Sequence, residues 1–159
     1  MKHPITTVTL ALLAAFSAGG TALTSRAEEP PHRKPGMWEQ TMTMGNGHTM
    51  TMQMCIDEAT EKRFSAMGKD RPGCTQEFHR IPGGYSFKGT CDGKTASGTA
   101  IGDFDKAIKI EVDSEGSHMV SNLAYLGPCP SDRKPGDLVM PGGQVMNMND
   151  MPMQGGMTK

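Results

Sequence analysis

The residues of this 159-residue chain whose type and spacing suit a defined chemistry are its methionines, which form two sets. The first lies in QTMTMGNGHTMTMQMC, residues 40–55, where Met42, Met44, Met50, Met52 and Met54 alternate with polar residues on either side of Asn46-Gly47-His48. The second comprises Met140, Met146, Met148, Met151, Met153 and Met157, with Met-x-Met at 146–148 and 151–153. A thioether is a soft, uncharged ligand that suits Cu(I) or Ag(I). It also packs as an adaptable hydrophobe and oxidises to the sulfoxide.

For the first set to act together, two strands must bring it together. With Gly45 paired to Thr49 across a three-residue loop, Met44 opposes Met50, Met42 opposes Met52 and Trp38 opposes Ile56. Trp38, the five methionines and Ile56 then share one face, and Thr41, Thr43, Thr49, Thr51 and Gln53 the other. Two readings follow. The Met face is core, because a strand needs one dry side; or Met42, Met44, Met50 and Met52 form a thioether site for Cu(I) or Ag(I), with His48 adding a nitrogen and Trp38 a cation–π cap.

Catalytic patterns are missing from the sequence. It has no Gly-x-Ser-x-Gly elbow, no phosphate-binding Gly-rich motif, no His-Glu-x-x-His and no dinucleotide fingerprint. His32, His48, His79 and His118 lie far apart, and the carboxylates scatter over polar positions, so a non-catalytic protein is expected. Sixteen Lys+Arg against 17 Asp+Glu, without a basic run, argue against nucleic acid as a partner.

The N-terminus supplies an address. Met1-Lys2-His3, the apolar run Ile5 to Phe16 and the small-x-small Ser25-Arg26-Ala27 read as a secretory signal cleaved after Ala27. A membrane span needs roughly 20 apolar residues, so no transmembrane segment is expected in the mature chain. Removing residues 1–27 leaves 14 basic and 17 acidic side chains, a net of -3. The expected location is periplasmic or extracellular. Cys55, Cys74, Cys91 and Cys129 then suit two disulfides, with three connectivities open.

The elements follow from turn residues and periodicity. Residues 28–36 (EEPPHRKPG) read as a linker, residues 37–129 as one β domain, and residues 130–159 as a disordered Met-rich tail. Strands are expected at 37–44, 50–56, 74–81, 85–91, 94–102, 106–113 and 117–126. In 106–113, Ile108, Ile110 and Val112 share one face. One helix is expected over 57–67, capped by Asp57, supported by Glu58 and Lys62, stopped at Gly68, and packed through Ala59, Phe64 and Met67. A turn at Pro82-Gly83 places Phe78 opposite Phe87 and Cys74 opposite Cys91. In a simple meander Cys55 reaches the same end of the sheet and competes for either partner. The expected fold is all-β: an antiparallel meander of about seven strands forming an open barrel or half-barrel, with one short helix.

Pro35-Gly36-Met37-Trp38-Glu39, Cys55-Ile56 at the end of a Met/Thr-rich hairpin, Gly73-Cys74, a strand ending in Cys91, and Leu126-Gly127-Pro128-Cys129 together resemble the domain of unknown function 3617 family. The resemblance covers about residues 35–129. It implies a small exported bacterial protein with an all-β fold and disulfides, and carries over no catalytic residue. The types of Trp38, Met42, Met44 and His48 are also similar to the ligand set of small periplasmic copper- and silver-binding β-barrel chaperones. Weak Cu(I) or Ag(I) binding through the methionines is therefore one expectation. The alternative is a binding module whose Met-lined face takes an apolar ligand or an exported polypeptide.

Overall fold

Short stretches of period-two alternation, separated by turn residues, dictate an antiparallel sheet, and the computed structural model, which describes residues 29–66 and 72–150, contains one. Its elements are β1 (Gly36–Met44), β2 (Thr49–Ile56), α1 (Glu58–Ala66), β3 (Cys74–Ile81), β4 (Gly84–Cys91), β5 (Lys94–Asp103), β6 (Ala107–Ser114), β7 (Ser117–Gly127), β8 (Asp137–Val139) and β9 (Val145–Asn147), with a 3-10 turn at Met148–Asp150. The nine strands form a single open sheet in the order β3-β4-β5-β6-β7-β1-β2-β8-β9, all neighbours antiparallel. All seven expected strands are present within a residue or so of their expected bounds.

The order departs from a simple meander. β7 returns to pair β1, which places the β1–β2 hairpin inside the sheet, while α1 carries the chain from β2 to β3 at the far edge. The competition expected for Cys55 is thereby removed. Cys74 lies directly opposite Cys91 and is bonded to it, and Cys55 is bonded to Cys129, just past β7. Each bridge restricts the unfolded chain, a contribution of about 2–4 kcal/mol.

The core sits on one face, at one end. Trp38, Met54, Ile56, Ile108 and Leu123 are buried there, with Phe104, Tyr125, Leu138 and Met148 packed against them. The Trp38 indole N–H donates to the Lys34 carbonyl at 2.8 Å, and the Tyr125 ring meets the indole edge-on with centroids 5.5 Å apart. A fully buried indole needs such an acceptor for its polar atom.

Both flanks of the domain are more ordered than expected. The expected linker is docked: Arg33 grips Glu61 of α1 through Nε and Nη2, the latter at 2.6 Å, and both side chains are largely buried. Lys34 N–H donates to the Phe104 carbonyl at 3.0 Å. The expected disordered tail is corrected over 130–150, where β8 extends the sheet at β2 (Met54 opposite Leu138) and β9 folds back on β8. Cys129 tethers the start of this segment, the free edge of β2 offers a ladder, and Asp137 accepts from Lys134 N–H and Asn147 Nδ2 at 2.8 and 2.7 Å. A short hairpin is held here by edge pairing, by one carboxylate and by the packing of Leu138 and Met148 on the core. Residues 151–159 lie outside the described part.

The helix begins as expected, with Asp57 Oδ1 accepting from Thr60 N–H at 2.8 Å and Lys62 donating to Glu58 at 2.8 Å. Its packing differs. Ala59 is exposed, and among the described side chains Thr60 and Glu61 are buried. Among the described side chains, the helix is docked through the ion pair to Arg33. The Phe64 side chain, Met67 and Gly68 fall outside the described residues.

Candidate functional site: a methionine face on three strands

The sequence folds locally into a hairpin with the loop Gly45-Asn46-Gly47, one residue earlier than expected. Gly47 N–H donates to the Met44 carbonyl at 2.8 Å, and Met44 N–H donates to the His48 carbonyl at 2.9 Å. The third residue of such a loop adopts the left-handed conformation, and Gly47 supplies it with φ 82°, whereas the expected loop would have forced His48 there. The register therefore shifts by two residues. Met42 opposes Met50, Gln40 opposes Met52, and Trp38 opposes Met54 rather than Ile56. A two-residue shift leaves the faces intact, so the methionines still share a face, with the Thr41–Thr51 and Thr43–Thr49 hydroxyl pairs behind them.

The site extends onto a strand that the sequence does not single out. On the other side of β1, Met44 opposes Met119 of β7 and Met42 opposes Ser121. Met42 thus has Met50 directly across one edge, Met44 two residues along its own strand, and Met52 and Met119 on its diagonals. The signal that could have found Met119 is the His118-Met119-Val120 stretch of a strand destined for β1, but that pairing is non-local.

Burial divides the expected Met face in two. Met54 is 4% exposed and Trp38 0% exposed, so both belong to the core. Trp38 is corrected as a cap: its ring lies at the core end, with the Arg33 guanidinium 6.0 Å from its centroid and Gln40 between it and Met42 along the strand. Met42, Met50, Met52 and Met119 are half-buried, and Met44 is 42% exposed. His48 is exposed at the turn, its N–H donating to Asn46 Oδ1 at 3.0 Å. Strand alternation carries His48 to the face of Met44 and Met50, at the rim.

Between core and methionines sits one polar pair, Gln40 Nε2 donating to the buried Ser121 Oγ at 3.2 Å. Beyond it, the row of register partners through Met44 and Met119 continues as Val112, Gly98, Phe87 and Phe78. A Cβ at Gly98 would collide first with the Glu111 carbonyl of β6 and then with Phe87 Cζ, 2.7 Å away, so glycine is needed where the strands and this ring come together. The row crosses six strands, about 24 Å at the usual strand spacing.

His48 at the rim is the histidine that reaches this face among the described residues. Among the described residues no three or more His, Cys, Asp or Glu gather as a metal-ligating group. His79 and His118 are exposed on the other face of the sheet, with His118 Nδ1 2.7 Å from Asp113 Oδ1. What the Met face can do chemically is bind a soft ion through thioethers or take up apolar surface.

Fold and site together define a small disulfide-stapled open β-sheet with a half-exposed thioether shelf. Residues 33–129 match the family described as protein of unknown function (DUF3617), and the chain belongs to that family. Comparison with curated proteins and with solved structures returned no match. Among the described residues no helix is long and apolar enough to cross a membrane.

Proposed function

We propose that the chain is an exported, non-catalytic periplasmic protein that binds Cu(I) or Ag(I) weakly through Met42, Met44, Met50 and Met52, with His48 at the rim. The observation that carries this reading is the placement of these thioethers. They are adjacent on paired strands and stand outside the buried cluster around Trp38, so core packing does not account for them. Two disulfides suit an oxidising compartment, and residues 1–27 have the form of a secretory signal. The chain is expected in the periplasmic fraction, beginning at Glu28 on N-terminal sequencing; recovery in the cytosolic fraction with an intact Met1 would remove the export reading.

The metal reading is tested by titrating Ag(I), or Cu(I) under a reductant, into the chain and into a variant with Met42, Met44, Met50 and Met52 changed to Leu. Leu conserves volume, and swaps of this kind usually cost less than about 1.5 kcal/mol each, so the fold is expected to survive. Loss of binding in the variant supports the site, and equal binding refutes it.

A second reading is favoured by the row Met44, Met119, Val112 and Phe87, which is continuous and half-exposed. Such a shelf suits an apolar ligand or an extended exported polypeptide. The same variant separates the two: it removes sulfur and keeps apolar surface, so an apolar ligand binds it as before.

A further inference from the structure

We infer that Met119 is a ligand of the same soft ion, so that the site spans β7, β1 and β2 rather than the hairpin alone. This rests on the metal reading proposed above. Met119 is directly opposite Met44 and diagonal to Met42, on the same face, and it is half-buried. Directly opposed residues of an antiparallel pair place their Cβ atoms about 4.5–5.5 Å apart, within reach of two thioether side chains around one ion. Met44 has no methionine across its other edge, where it meets His48 at the turn. Met119 is therefore the thioether best placed to join Met44, as Met50 is for Met42. Met52, opposite Gln40, is farther from Met44 than Met119 is, and ranks below it as a ligand.

A set of Met42, Met44, Met50 and Met119 draws on the β1–β2 hairpin and on β7, which lies far from it in sequence. The preorganised site then exists only when β7 is paired with β1, and the hydrogen-bonded ladder fixes the spacing before the ion arrives. Four flexible side chains in an unfolded segment would have to be ordered at the moment of binding, which weakens affinity.

The test is Ag(I) titration of the full exported chain and of Met119→Leu, Met42→Leu and Met37→Leu. Met37 is buried at the far end of β1 from Met44, opposite Cys55, and serves as the control. Affinity is expected to fall about tenfold or more for Met119→Leu and Met42→Leu and to stay within about twofold for Met37→Leu. If Met42→Leu weakens binding and Met119→Leu does not, the three-strand site is wrong and the hairpin reading stands. If neither substitution changes binding, or the unmodified chain binds no Ag(I), both readings fall. A second measurement needs no substitution. Hydrogen peroxide converts a free thioether to sulfoxide with release of water, and a thioether held by Ag(I) is slower to react. Ag(I) is expected to protect Met119 in peptide mass spectra as much as Met42; oxidation of Met119 at an unchanged rate, with Met42 protected, would overturn the inference.

Discussion

Met42 is the residue on which the thioether face turns, because Met50, Met44, Met52 and Met119 all occupy positions directly across, along or diagonal to it. Replacing it by Leu is expected to weaken Ag(I) about tenfold or more, whereas Met54→Leu, inside the core, leaves affinity unchanged; isothermal titration of the two variants checks this. The same side-chain type thus occupies two settings within one strand pair, the buried core and the half-exposed face. Trp38 shows why residue type alone misleads. The sequence places it on the Met face, and the face assignment is right, yet its indole N–H needs the Lys34 carbonyl, which draws it into the core and away from any cap. The tail methionines divide similarly: Met148 packs on the core and Met146 opposes Leu138, so packing accounts for residues that composition made look like low complexity.

Elements whose order depends on local signals are legible in the sequence. The β3–β4 register follows from the Pro82-Gly83 turn and places Cys74 opposite Cys91, and Asp57 caps α1 as a side-chain acceptor at a helix start should. Elements held by distant partners are not legible. Nothing local announces that Arg33 anchors the helix through Glu61, or that three-residue strands after Cys129 extend the sheet at β2. The β8–β9 hairpin depends on the Asp137 carboxylate, which the Lys134 N–H and then the Asn147 amide hold below its ordinary pKa of 3.8. A carboxyl lowered on folding contributes stability at pH values above its unfolded pKa and loses that contribution as pH falls through the folded value. Asp137→Asn is therefore expected to lower the thermal midpoint at pH 6 and to flatten its fall between pH 4 and pH 2; an identical acid limb in both proteins would contradict this role for Asp137.

At the scale of the whole molecule, the fold class was readable and the topology was not, for one physical reason. Strand existence and facing follow from period-two alternation, while the return of β7 to β1 is a non-local pairing that only the assembled sheet specifies. That pairing adds Met119 to the face and sets the partly exposed shelf beside a well-buried core. The disulfide from Cys55 to Cys129 closes 74 residues and ties β2 to the end of β7, holding both flanks of the shelf in one body. The central claim, that this shelf takes a soft ion, is tested most directly by methyl NMR of methionine-labelled protein during Ag(I) addition. The methyl signals of the face methionines Met42, Met44, Met50, Met52 and Met119 are expected to shift together, with those of Met37 and Met54 unmoved. If only Met151, Met153 and Met157 shift, or if no methionine does, the shelf is not a metal site.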